Sequence, residues 1–174
     1  MEERSRRFRL LAATAESARA ELEDPARLAH LIGANVPADW PPETLRDALP
    51  LFLQQHEAHP EWTGWLGWYV IRLDRAAPVL CGSVGFKGPP DAEGAVEIGY
   101  SVLPAHQHLG FATEMVETLV RWACAQPGVR CVEAETTVDH PRSVRVLERT
   151  GFHRIGTGNE PGAVRYRFLP TRRG

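Results

Sequence analysis

The 174-residue chain is poor in several things, and each scarcity narrows what it can be. Lys87 is its one lysine, so its basic residues are nearly all arginine; no function is read into that bias. A net charge of only −2 gives no whole-protein attraction to nucleic acid or to an acidic membrane. The three cysteines, Cys81, Cys124 and Cys131, stand at no metal-ligand or redox spacing and read as buried, reduced thiols. No apolar run is long enough to span a bilayer, and the N-terminus MEERSRRFRL lacks the apolar stretch of a signal peptide. Internal repeats and low-complexity linkers are also missing. What is left is ordinary globular composition, 43% hydrophobic and 24% charged, at a length that one core can fill. The expectation is one cytoplasmic domain over residues 1–174, with no metal, nucleic acid or membrane partner.

The densest local pattern is SVLPAHQHLGFAT, Ser101 to Thr113. Pro104 ends a strand, a polar connection follows, and Gly110 and Ala112 keep a helix start free of bulk. A helix start carries N–H groups with no partner inside the helix, and the dipole behind them favours an anion such as phosphate. The Lys-Ser/Thr pair of a Walker loop is missing, as is the three-glycine spacing of a dinucleotide fold. A glycine before a helix is also an ordinary cap, so this stretch alone leaves both readings open.

In chain order, the pattern predicts a strand at 9–13 and a helix at 17–32 stopped by Gly33. A turn-rich segment at 36–42 leads to a helix at 43–56, kinked or broken at Pro50. Strands follow at 68–73 and 79–86 as an antiparallel pair. Trp62, Trp65 and Trp68 read as core rather than as a substrate cavity. In the strand at 96–103, Val96, Ile98, Tyr100 and Val102 face a core, while Glu97, Gly99 and Ser101 face the other way. A carboxylate flanked by two small residues leaves a trench; a solvated strand face is the alternative. The helix at 110–126 is strongly amphipathic, with Phe111, Met115, Leu119 and Trp122 on one stripe. A strand at 130–137, a helix at 141–150, strands at 152–156 and 164–168, and a loose tail at 171–174 complete the chain.

Gln107-x-x-Gly110-x-Ala112 resembles the acetyl-CoA-binding signature of the GNAT family of N-acetyltransferases. SVRVLERTGF, Ser143 to Phe152, resembles the corresponding segment of the branch that includes the ribosomal-protein N-terminal acetyltransferases (RimJ/RimL-like). The resemblance runs from about Cys81 to Phe152. It implies an α/β (α+β) mixed fold: a mostly antiparallel central sheet with one splayed parallel strand pair, flanked by about four helices. It implies acetyl-CoA as co-substrate. The backbone of Ser101, Val102 and Leu103 would pair with the pantetheine arm, and Gln107, His108, Leu109, Gly110, Phe111, Ala112 and Thr113 would hold the pyrophosphate. Glu97 stands where several members place the general base, and Glu135 would assist it or attract a cationic substrate.

Two positions depart from the family pattern. His140 replaces the usual pantetheine-contacting asparagine but can still donate one hydrogen bond to the cofactor there, and Leu147 replaces a tyrosine proton donor. Ser143 matches the pattern and is the candidate for the thiol end, directly or through a water. A thiol of pKa about 8.5 leaves tolerably without an acid, so that loss need not abolish chemistry. The base is the sharper requirement. An alkyl ammonium titrates near pH ~10 and a glutamate near ~4.3, so Glu97 needs a raised pKa or a water relay. The leading reading is an N-acetyltransferase acting directly, through a tetrahedral intermediate, on a primary amine of a protein N-terminus or a small molecule. Homodimers are frequent in the family. The second reading, prompted by the two departures, is a non-catalytic acyl-CoA-binding or regulatory domain.

Overall fold

The computed structural model describes residues 1–170; the tail expected to be loose lies outside the described residues. Eight strands form one mixed sheet: β1 Glu2–Arg4, β2 Phe8–Ala12, β3 Gly67–Arg72, β4 Val79–Phe86, β5 Ala95–Val102, β6 Cys131–Thr137, β7 His153–Thr157 and β8 Ala163–Phe168. Their order across the sheet is β1-β2-β3-β4-β5-β6-β8-β7. Neighbours are antiparallel everywhere except β5 and β6, which run parallel. The edge strand β1 was not anticipated; its residues are charged, and only pairing with β2 makes them a strand.

Among the described residues six helices flank the sheet where about four were expected, because prolines divide two of the expected ones. The helix anticipated at 17–32 is two: α1 Ala15–Glu23 and α2 Pro25–Ile32. Pro25 offers no N–H to continue α1 but suits the first turn of α2, where Asp24 accepts from the Arg27 amide at 3.0 Å. The helix anticipated at 43–56 becomes α3 Glu43–Arg46 and α4 Leu49–Ala58, with Pro50 in the first turn of α4. Helices α5 Phe111–Cys124 and α6 Pro141–Arg149 fall within two residues of expectation.

On one face of the sheet α5 buries Phe111, Met115, Val116, Leu119 and Ala123 against Val70, Val84, Ile98 and Val132. Each of these side chains larger than alanine stabilises the fold by roughly 1.5–3 kcal/mol through removal from water. Trp65 and Trp68 join Trp122 here, with ring centroids 4.9 and 5.2 Å from it, so both are core. Trp62, half-buried like Trp65, is stacked on His59 instead, at 3.9 Å. The opposite face is only partly covered. Helices α1 and α2 shield Tyr69, Ile71 and Leu80, whereas β5, β6 and β8 present charged side chains there. No helix among the described residues is long and apolar enough to cross a membrane.

Candidate active site

The alternation expected of β5 holds: Val96 and Ile98 are buried, while Glu97 is half-buried and Gly99 exposed. A Cβ built on Gly99 meets nothing within 4 Å, so the trench beside Glu97 is open space. The parallel pairing of β5 with β6 lasts three rungs, Ala95–Cys131, Val96–Val132 and Glu97–Glu133, and then stops. Beyond it both strands continue, β5 to Val102 and β6 to Thr137, with no pairing between them.

Which backbone groups line this gap follows from strand geometry. The Glu97 carbonyl accepts from Lys87 N–H at 3.0 Å and the Leu103 N–H donates to the Cys81 carbonyl at 3.0 Å, both on the β4 side. Backbone groups alternate sides along a strand, so those of Ile98, Tyr100 and Val102 face the gap. Of the run Ser101 to Leu103, the Ser101 backbone and the Leu103 N–H are directed at β4, the Leu103 carbonyl accepts from the His106 N–H at 2.9 Å, and the Val102 backbone faces the opening. The Val102 carbonyl is itself met by Gln107 Nε2 at 3.0 Å, while Gln107 Oε1 accepts from Arg142 on α6 at 2.9 Å. The Gln107 side chain therefore ties the end of β5 to α6.

Downstream of a 3₁₀ turn at Pro104–His106, the backbone passes through the left-handed region twice, at His108 (φ 63°) and at Gly110 (φ 73°). Gly110 is the cap residue of α5, and no side chain caps this end. The Glu114 amide closes the first helical bond, to the Gly110 carbonyl at 3.3 Å. The amides of Phe111, Ala112 and Thr113 precede it and have no partner in the helix. Uncapped amides at the start of a fourteen-residue helix suit a diphosphate, and a glycine at the cap keeps the approach clear.

Around this turn stand two arginines that sequence reasoning did not single out. Arg7 donates from Nη1 to the Leu109 carbonyl at 2.9 Å and from Nε to Glu114 Oε2 at 2.7 Å, and its backbone N–H reaches Glu114 Oε1 at 3.0 Å. Its guanidinium carbon lies 4.5 Å from the Phe111 ring centre. The guanidinium carbon of Arg72, at the end of β3, lies 4.7 Å from the same ring. Burial pushes the Glu114 carboxyl up, but hydrogen bonds from Ser5 and Arg7 outweigh it and hold the group below the usual carboxylate range. The contacts span 102 and 107 residues of sequence, so no local pattern announces them.

The carboxylates differ in their freedom. Glu97 is ion-paired with Lys87, the chain's only lysine, whose side chain is 68% exposed. Glu135 is fully engaged: Arg165 bonds it through Nε at 2.9 Å and through Nη2, and the Asn159 amide lies 3.1–3.2 Å from its oxygens. Burial raises its pKa, yet those bonds leave it lowered. It joins β6 to β8 and to the β7–β8 connection, a structural duty that the expected catalytic role did not include. Ser143, in the first turn of α6, has its hydroxyl 2.9 Å from the phenol oxygen of Tyr100. Burial pushes that phenol up to about 12. Leu147 is fully buried core, and His140 is the exposed residue before α6.

On the Glu97 face, α3 is attached to β5 by Thr44 Oγ1 and Ser101 Oγ at 2.8 Å. Deeper under α1 and α4, the Glu21 carboxylate accepts from Tyr69 OH at 2.8 Å and Trp40 Nε1 at 2.9 Å, beside the buried His56. Burial raises the pKa of Glu21 and lowers that of His56.

Residues 7–153 match the family model described as the acetyltransferase (GNAT) domain. The chain belongs to this family. It is therefore an N-acetyltransferase by membership, of a family that uses acetyl-CoA. It is 28% identical over 121 residues to the uncharacterized N-acetyltransferase YjdG of Bacillus subtilis (strain 168), covering 70% of this chain and 71% of that one. Its fold is shared by the microcin C7 self-immunity acetyltransferase MccE, solved with acetyl-CoA and AMP (TM-score 0.66, 18% identity, 95% and 94% of the two chains). It is shared too by RimL, the ribosomal L7/L12 alpha-N-protein acetyltransferase, solved with coenzyme A (TM-score 0.64, 18% identity, 97% and 98%).

Proposed function

We propose that this GNAT domain, a single unit over residues 1–174, moves acetyl from acetyl-CoA to a primary amine in one step, through a tetrahedral intermediate. The acceptor class is a protein N-terminus or a small-molecule amine, in keeping with a place near the RimJ/RimL-like branch. One observation carries the reading: three parallel rungs give way to an unpaired gap directly upstream of an uncapped helix start. The donor and acceptor groups of Ile98, Tyr100 and Val102 at the gap fit an amide-bearing pantetheine chain. The amides of Phe111, Ala112 and Thr113, with the turn from Gln107 to Gly110, fit a diphosphate. Acetyl-CoA would supply an activated acyl group and a thiolate leaving group.

The chain's own residues then have definable work. Glu97, beside the open trench at Gly99, receives the ammonium proton of the acceptor, directly or through a water. Lys87 occupies in the free enzyme the place that an acceptor ammonium takes at that carboxylate. Ser143, directly or through a water it positions, hydrogen-bonds to the departing sulfur, and the thiolate so stabilised takes its proton from solvent. The Tyr100 phenol, protonated at neutral pH, donates to the Ser143 carbonyl at 3.3 Å and shares a hydrogen bond with the serine hydroxyl, which holds that side chain in place. No cysteine is needed: Cys81 is buried, its thiol pushed up to about 12 by that burial.

The test is release of free thiol from acetyl-CoA across a panel of peptides and small amines, with wild type and Glu97→Gln. The variant is expected to lose about 10²-fold or more in kcat, the range of general-base contributions, with CoA affinity unchanged. Full activity of Glu97→Gln at every pH would remove Glu97 as base. Tight acetyl-CoA binding with no turnover on any amine would make the domain a binding module instead.

A further inference from the structure

We propose that Arg7 is a positioning residue for the cofactor's diphosphate: it sets both the shape and the charge of the turn from His108 to Glu114. This rests on the diphosphate reading of that turn. Three contacts converge on it. First, the Leu109 carbonyl is held by Arg7 Nη1. In a trans peptide the C=O and the following N–H point in opposite directions, so fixing that carbonyl aims the Gly110 N–H away from Arg7, into the mouth of the turn. Second, the ring of Phe111, the first helical residue, is contacted by the guanidinium groups of both Arg7 and Arg72, at 4.5 and 4.7 Å from its centre. Third, Glu114 places a carboxylate in the first turn of α5, close to where an anion is to bind, and Arg7 meets it with two N–H donors. Without that compensation the carboxylate repels the phosphates.

The turn needs such a brace. His108 is a non-glycine residue in the left-handed region, which persists only where its surroundings hold it. Arg7 itself is well seated, with its side chain 22% exposed and that of Glu114 16%. Lysine cannot replace it, because one ammonium lacks the planar fork that serves a carbonyl, a carboxylate and a ring face together.

The experiment compares dissociation constants of CoA and of pantetheine, which is CoA without its diphosphate and 3′-phosphoadenosine, by calorimetry on the full chain. Arg7→Met is expected to weaken CoA about tenfold, the scale of one charge-assisted hydrogen bond, and to leave pantetheine unaffected. Arg7→Met combined with Glu114→Gln should recover part of the CoA loss, since the unpaired carboxylate is gone. A purely structural role would instead weaken both ligands alike. Equal loss on both ligands, or no loss on CoA, overturns the proposal. If Arg7→Met does not fold, Arg7→Lys is read by the same criterion, with a smaller loss confined to CoA. Should wild type hold CoA no tighter than pantetheine, the diphosphate reading fails, and the role of Arg7 with it.

Discussion

Two glycines of the central strands, Gly82 and Gly99, make opposite predictions for the same substitution. Gly82 on β4 lies opposite Val102 of β5. A Cβ built there lies 2.7 Å from the Ser101 carbonyl oxygen, 3.4 Å from Met115 Cε and 3.5 Å from Val102 Cα. The methionine end can move; the backbone carbonyl belongs to a hydrogen-bonded strand and must shift by several tenths of an ångström. Overpacking of this kind costs about 1–3 kcal/mol. For a domain of this size each kcal/mol lowers the melting temperature by roughly 2–4 °C, so Gly82→Ala should melt about 2–12 °C below wild type. The shift also displaces the end of β5 at the gap, so KM for acetyl-CoA should rise. Gly99→Ala adds the same methyl where nothing lies within 4 Å. It should melt within about 2 °C of wild type, yet narrow the trench beside Glu97 and raise KM for the acceptor. Thermal scanning and steady-state kinetics on both variants check this. Equal melting temperatures for the two, or a lower one for Gly99→Ala, would refute the packing argument.

Two further predictions are narrower. Tyr100→Phe removes the phenol that reaches Ser143 and should cost about 0.5–1.5 kcal/mol of stability. It should also lower kcat several-fold with little change in acetyl-CoA KM; unchanged kcat would separate Tyr100 from the chemistry. The other concerns pH. Burial lowers the His56 pKa below its unfolded value of about 6.5, so the folded state takes up its proton later than the unfolded chain. Its contribution is therefore complete above pH ~6.5 and is lost as pH falls through the folded value. His106, lowered mainly by burial and then by Arg72, acts with the same sign, so the comparison is by difference. His56→Gln should flatten the fall in melting temperature between about pH 7 and pH 5 relative to wild type, and an unaltered slope would contradict the assignment.

How much of this was legible beforehand depends on how local the signal is. β4 was read at the residues where it lies, and α5 within two, because their apolar periodicity is dictated by one packed face. The N-terminal third was read less well. Pro25 divides a pattern that periodicity alone carries through, and β1 has no apolar alternation at all. At the candidate site, Glu97, Gly99 and the turn at Gly110 stand out in sequence because a carboxylate between small residues and a glycine at a helix start are local facts. Arg7, Arg72 and the Lys87 partner of Glu97 do not. Their roles arise only when β2 and β3 come to lie beside the start of α5, and when the turn after β4 folds back on β5. The engagement of Glu135 by Arg165 is likewise a property of strand register, invisible until β6 and β8 are paired.

The short seam between β5 and β6 has one more implication. Five strands lie on one side of it and three on the other, and only three residue pairs stitch the two panels at that line. A slender molecule lodged where the stitching ends would extend the seam with its own amides. The guest would thus act as a partial ninth strand, and loading the enzyme would also finish building its sheet.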